Sequence, residues 1–130
     1  MARILVIDDD DAIRTVLTML LGQKNHEVVT AQNGLRGLKV LENDDFDLLI
    51  VDLFMPEMDG LETIRIVRKD NPDVPIIVMS GSGNRAEMPD FLTMATKLEA
   101  VESIAKPFRP RELFEAVDRC LQRTAGGPSS

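Results

Sequence analysis

Four stretches of the sequence end in residues whose side chains could carry out chemistry. The first ends in four consecutive aspartates, Asp8 to Asp11, and the second ends in Asp52. The third ends in Ser80, followed by Gly81, and the fourth ends in Lys106, followed by Pro107. Carboxylate, hydroxyl and ammonium groups together suit the transfer of a phosphoryl group to a carboxylate nucleophile. That chemistry requires these side chains, which are far apart in the sequence, to meet in one pocket.

The aspartates would be costly to gather without a cation. Two carboxylates about 4 Å apart repel by about 4 kcal/mol at an effective dielectric constant of about 20, so either a proton or a metal must be bound. Oxygen ligands without histidine or cysteine favour Mg²⁺, or Mn²⁺ in its place, over zinc. One of the carboxylates could act as the nucleophile, assisted by a Mg²⁺ ion that the cluster holds. Ser80 would donate a hydrogen bond to the transferred group, and Lys106 would supply positive charge to it.

The elements that must position these residues alternate along the chain. Continuous apolar runs at residues 4–7, 48–51 and 76–79 are typical of strands that are buried on both faces. The weaker patterns at residues 27–30 and 101–104 suit the edges of a sheet. Stretches with the apolar spacing of amphipathic helices lie between and after these strands.

Five helices are predicted from this spacing. Their marker residues are Ile13, Val16, Leu17, Leu20 and Leu21; Leu35, Leu38 and Leu41; Leu61, Ile64 and Val67; Phe91, Met94, Ala95 and Leu98; and Leu113, Val117, Cys120 and Leu121. Asp10 or Asp11 is placed to cap the first helix, and Gly22 can end it. The second helix follows Asn33, and the last starts near Pro110.

Strict alternation of strands and helices predicts an α/β fold with a doubly wound, five-stranded parallel sheet, in the flavodoxin-like order 2-1-3-4-5 with five helices on two faces. Ligands bind such sheets beyond the carboxyl ends of the strands, where the strand order reverses. Here that point lies between the first and third strands, next to Asp8 and Asp52. Residues 1–123 are predicted to form one domain, and residues 124–130, which include Gly-Gly-Pro-Ser-Ser, a disordered tail.

Composition excludes some classes of function. The net charge of −7 over 130 residues argues against direct nucleic-acid binding and against an anionic membrane surface. The single cysteine, Cys120, fits a reducing compartment, and we find no signal peptide, so we expect a cytoplasmic protein. We also expect a monomer or a weak dimer.

Four motifs, in order, resemble the receiver domain of two-component response regulators, the CheY-like family. They are Ile-Leu-Val-Ile-Asp-Asp at residues 4–9, Asp-Leu-Phe-Met-Pro-Glu-Met-Asp-Gly at 52–60, Met-Ser-Gly at 79–81 and Lys-Pro-Phe at 106–108. The resemblance covers about residues 3–122. It implies a phosphorelay signalling domain whose phosphoryl donor is a phosphohistidine on a histidine kinase or a histidine phosphotransfer protein, with an unknown downstream effector.

The resemblance also assigns the site residues. It implies that Asp52 is phosphorylated, that Asp9 and Asp52 bind Mg²⁺ directly, and that Asp8 acts mainly through water. The backbone carbonyl of Phe54 would be a further ligand, and the bond between Lys106 and Pro107 is often cis in the family. The domain would not be an enzyme beyond its self-catalysed phosphoryl transfer and slow autodephosphorylation.

Some positions depart from the family pattern. Ser103 stands where the family usually has an aromatic residue that reports phosphorylation to the output face. Our hypothesis is that the loop beginning at Gly81 and Ser82, with the fourth helix, carries that signal instead. Phe54 and Ser82 flank the expected path of water, and an apolar Phe54 cannot orient an attacking water, so we predict slow loss of the phosphoryl group.

Three other functions remain open from the residues. Asp8 and Asp10 form the Asp-x-Asp pattern of haloacid-dehalogenase-like phosphatases, although the last strand ends in Lys-Pro rather than an acidic pair. A receiver fold that acts as a non-phosphorylated adaptor is the second alternative. A flavodoxin-like FMN carrier is the third, and the absence of Trp and Tyr disfavours it.

Overall fold

The computed structural model describes residues 2–53, 60–80 and 102–126. These contain five strands: β1 (Arg3–Ile7), β2 (Glu27–Ala31), β3 (Leu48–Asp52), β4 (Ile76–Ser80) and β5 (Glu102–Ala105). They also contain four helices: α1 (Asp11–Gln23), α2 (Gly34–Asn43), α3 (Gly60–Asp70) and α4 (Pro110–Gly126). The helix predicted around Phe91 and Leu98 lies outside the described residues, and α4 is the helix predicted to start near Pro110.

The five strands form one parallel sheet in the order β2-β1-β3-β4-β5, which confirms the predicted topology. The register pairs Ile7 with Val51 and Asp52 with Met79, so the strands end side by side. All residues of β3 and β4 are buried, whereas β2 and β5 are partly exposed. The apolar runs are therefore central strands, as the sequence predicted, because only central strands have both faces covered.

Alternate residues of each central strand enter two separate cores. On one face, Ile4 and Val6 pack in a cluster with side chains of α1 and α4, including Leu17 and Leu113. On the other face, Leu5 and Ile7 join side chains of α3. This two-residue period explains why a run with no polar residue still specifies two faces.

The helix ends follow local capping chemistry, with one correction. Asp10 caps α1 as predicted, since its side chain accepts hydrogen bonds from the backbone N–H groups of Ala12 and Ile13. The prediction that Gly22 ends α1 was wrong, because the helix runs to Gln23. Asn25 makes the left-handed turn with φ 66°, which Asn tolerates better than most residues.

The last helix, α4, is assigned through Gly126, which passes the predicted domain boundary at residue 123. That boundary and the disordered tail stay predictions. Within the described parts of the chain, we find no helix with the length and apolar character needed to cross a membrane.

Candidate functional site

The carboxyl ends of three strands bring distant charged residues together. Asp8 follows β1 directly, Asp52 is the last residue of β3, and Lys106 follows β5 directly. Carboxylate oxygens of Asp8, Asp9 and Asp52 all lie within 4.8 Å of one another. Lys106 Nζ lies 2.7 Å from Asp8 Oδ2 and 3.3 Å from Asp52 Oδ2. The predicted meeting of these residues is therefore present in the structure.

Backbone hydrogen bonds continue past the strand ends and hold these residues in place. The N–H of Asp8 donates to the carbonyl of Ala31 at 3.1 Å, and the N–H of Lys106 donates to the carbonyl of Ser80 at 2.7 Å. Because each ladder extends one residue beyond its strand, the side chains emerge at the same edge of the sheet.

The site carries more negative than positive charge. Asp8 and Asp52 are 0% and 3% exposed and both contact the ammonium group of Lys106, while the exposed carboxylate of Asp9 lies close to the other two carboxylates. Burial alone would lower the pKa of Lys106, but its hydrogen bond to Asp8 and the charges of Asp52 and Asp8 together outweigh burial and raise that pKa. The surplus negative charge and the all-oxygen donor set fit a hard divalent cation such as Mg²⁺.

The other two aspartates of the acidic run have different partners. Asp10 is the cap of α1, and its backbone N–H donates to Asp8 Oδ1 at 2.9 Å. Asp11 pairs with Arg14. Asp10 is therefore engaged at the helix end, which does not suit the role of proton donor that a haloacid-dehalogenase-like phosphatase would give it.

The remaining predicted site residues fall into two groups. Ser80 is buried at the end of β4, Pro107 follows a cis peptide bond, and Ser103 is exposed on β5. Phe54, Gly81 and Ser82 lie outside the described residues. The carbonyl ligand at Phe54 and the switch loop at Gly81 and Ser82 therefore remain predictions.

Gly60 was not singled out as a site residue by the sequence reasoning, although it supports Asp52. A Cβ atom at Gly60 would lie 2.4 Å from the carbonyl oxygen of Asp52 and 2.7 Å from Leu53 Cα. Helix α3 thus begins in direct contact with the backbone of Asp52 and Leu53. The pair Asp59-Gly60 is the only local signal, and such a pair is usually interpreted as a turn.

We expect Gly60→Ala to destabilise the protein by about 1–3 kcal/mol, because the clash is with backbone that cannot rotate away. The matched control is Gly22→Ala on α1, where a Cβ atom would meet nothing within 4 Å. Replacing a glycine at this exposed position of the helix should stabilise the protein by about 0.5–1 kcal/mol. Urea unfolding followed by circular dichroism measures both changes, and equal effects of the two substitutions would contradict the close approach.

Residues 4–118 match the protein family described as the response regulator receiver domain. The crystal structure of a response regulator receiver domain protein from Clostridium thermocellum has a TM-score of 0.87 and 31% sequence identity with this chain. The similarity covers 96% of this chain and 98% of that one.

Curated relatives are longer proteins. The chain is 34% identical over 124 residues to the transcriptional regulatory protein GlrR of Escherichia coli strain K12, covering 95% of this chain and 27% of that protein. It is 40% identical over 120 residues to the DNA-binding transcriptional regulator NtrC of Azospirillum brasilense, covering 92% of this chain and 24% of that protein. The chain thus spans about a quarter of the length of these two relatives.

Proposed function

The chain belongs to the response regulator receiver domain family, and from this premise we propose that Asp52 accepts a phosphoryl group from a phosphohistidine donor. The observation that carries the proposal is the contact of one ammonium group with two strand-end carboxylates. Lys106 Nζ lies 2.7 Å from Asp8 and 3.3 Å from Asp52, and Asp9 completes the carboxylate group within 4.8 Å.

Each residue of the site has a separate task in the transfer. An oxygen of Asp52 attacks the phosphorus atom, the phosphorus–nitrogen bond of the donor breaks, and the electron pair of that bond returns to the imidazole. Negative charge spreads over the other phosphoryl oxygens during this step. Lys106 balances part of that charge, and the hydroxyl of Ser80 donates a hydrogen bond to a phosphoryl oxygen.

The carboxylates would also hold a divalent cation. We assign Asp9 and Asp52 as direct ligands of Mg²⁺, Asp8 as a ligand mainly through water, and the carbonyl of Phe54 as a further ligand. When bound, Mg²⁺ would neutralise the approaching phosphoryl group and the crowded carboxylates. The fit of this ion rests on the donor set, three carboxylates within 4.8 Å of one another with no sulfur or imidazole ligand among them.

We propose that phosphorylation changes contacts with a downstream effector. Relatives of this chain are transcriptional regulators of greater length, which is consistent with an output segment or partner that acts on the phosphorylated state. A histidine kinase or histidine phosphotransfer protein would be the donor, in the cytoplasm. Because Ser103 is exposed and has no aromatic ring, we place the signal in the loop at Gly81 and Ser82 and the segment after it.

Intact-mass spectrometry after incubation with acetyl phosphate tests the proposed function. With Mg²⁺ present, we expect a mass gain of one phosphoryl group, mapped to Asp52 by reduction of the acyl phosphate and peptide analysis. With a chelator in place of Mg²⁺, we expect no gain. Release of inorganic phosphate without any phosphorylated protein would instead favour the phosphatase alternative, and no reaction under either condition would favour the adaptor.

A further inference from the structure

A second polar feature lies beside the acidic site, between α1, β2 and α2. It is a groove of about 390 Å³, which we call the basic groove, and its polar lining residues are Arg14, Thr30, Gln32, Arg36 and Lys39. Ala31 and Val40 complete the lining. The volume lies within the range of about 300–1,000 Å³ that is usual for sites of small ligands.

The charge of the basic groove opposes that of the whole protein. The chain has a net charge of −7, yet the charged residues that line the groove are all cations. Within residues 2–53, 60–80 and 102–126, no ion pair involves the side chain of Arg36 or Lys39. Arg36 and Lys39 also line the adjoining surface that contains Glu42, but neither forms an ion pair among the described residues, which leaves both available to an anion.

Arg14 forms a fixed wall of the same groove. Its Nη1 donates a hydrogen bond to the carbonyl of Asp8 at 2.6 Å, and its Nη2 pairs with Asp11. The Arg14 side chain is 16% exposed, so it reaches the groove without being free to swing into solvent. A cation held in this way binds an anion at little entropic cost.

We propose that the basic groove binds a small anion that carries more than one phosphate group. Arg36 and Lys39 lie one helical turn apart on α2 and can each contact a separate phosphate, because residues three apart face the same side of a helix. The Thr30 hydroxyl and the Gln32 amide, which also line the groove, supply neutral donors. Guanidinium groups match phosphate oxygens in two-point contacts, which favours this ligand class.

The test is titration of the full chain with inorganic pyrophosphate in buffer free of divalent cations. The acidic site repels anions under this condition, so binding reports the basic groove. We expect saturable changes in the amide NMR signals of Thr30, Gln32, Arg36 and Lys39, with the signals of Asp8 and Asp52 changing least. Arg14 is left unchanged, because its bond to Asp8 supports the neighbouring site.

The variant Arg36→Gln with Lys39→Gln should weaken pyrophosphate binding by about tenfold or more, since two charge-assisted contacts are lost. The matched control is Arg65→Gln with Lys69→Gln, which removes the same charge from exposed positions on α3. Equal weakening by both pairs, a titration without saturation, or tighter binding of a hexaglutamate peptide than of pyrophosphate would overturn the proposal.

Discussion

Asp52→Asn is expected to abolish the gain of a phosphoryl group from acetyl phosphate and, without divalent cations, to make the protein more stable. The first effect follows because an amide is neither charged nor nucleophilic at the atom that must attack phosphorus. Intact mass after incubation with acetyl phosphate and Mg²⁺ measures it. If the variant still gained the mass of a phosphoryl group, a residue other than Asp52 would be the acceptor.

The expected gain in stability follows from the distances in the site. Asp52 lies 3.3 Å from one ammonium group, but within 4.8 Å of two other carboxylates. With both carboxylate separations taken at the 4.8 Å limit and an effective dielectric constant of about 20, the two repulsions exceed the attraction by about 2 kcal/mol, and solvent at the exposed Asp9 reduces this figure. We therefore expect the free energy of unfolding to rise by about 1–2 kcal/mol.

Urea unfolding in buffer free of divalent cations measures this second effect. Glu115→Gln is the control, because it removes one negative charge at an exposed position of α4, away from the site. Mg²⁺ should stabilise the wild type by mass action and stabilise Asp52→Asn less. If Asp52→Asn were less stable than the wild type in the absence of metal, repulsion among the three carboxylates would not be the dominant effect at Asp52.

The sheet and the meeting of the site residues could be predicted because they depend on simple periodicity. The apolar runs ending before Asp8 and at Asp52 can only be buried in a central strand, and parallel strands that are wound in this order end at one edge. Distances across 54 or 98 residues of sequence, such as those from Lys106 to the two aspartates, then follow from topology.

Other features depend on contacts that local patterns do not record. The close approach of Gly60 to the backbone of Asp52 exists only once α3 packs against β3. The end of α1 depends on the left-handed conformation of Asn25 rather than on the nearest glycine, since Gly22 keeps its helical position. The basic groove joins residues of α1, β2 and α2 that have no shared motif.

Lys106→Met is expected to have the opposite effect on stability from Asp52→Asn. Without the ammonium group, Asp8 and Asp52 remain as buried carboxylates that have lost this cation. Breaking a fully buried ion pair costs about 3–5 kcal/mol, and because Lys106 is partly exposed we expect a smaller loss, about 2–3 kcal/mol. Urea unfolding measures the change, and Lys69→Met, at an exposed position of α3, controls for loss of charge.

The pH dependence of this loss identifies its cause. The pKa of Lys106 is raised in the folded protein, so the stability it contributes is fully present below the pKa of an unfolded lysine, about 10.4, and is lost as pH rises through the folded pKa. The wild type and Lys106→Met should therefore differ most in stability at neutral pH and converge as the pH rises through the raised pKa of the folded lysine. A difference that persists unchanged there would mean that the lysine acts through packing alone.

Mg²⁺ separates the structural role of Lys106 from its role in transfer. A divalent cation among the same carboxylates should restore much of the stability that Lys106→Met loses, because it replaces the missing positive charge. It should not restore the rate of phosphorylation, which we expect to fall by about 10²–10³, the usual cost of removing one charge-stabilising donor. Recovery of both stability and rate would show that the lysine only balances the charge of the aspartates. Recovery of stability alone would show that the lysine also stabilises the phosphoryl group during transfer.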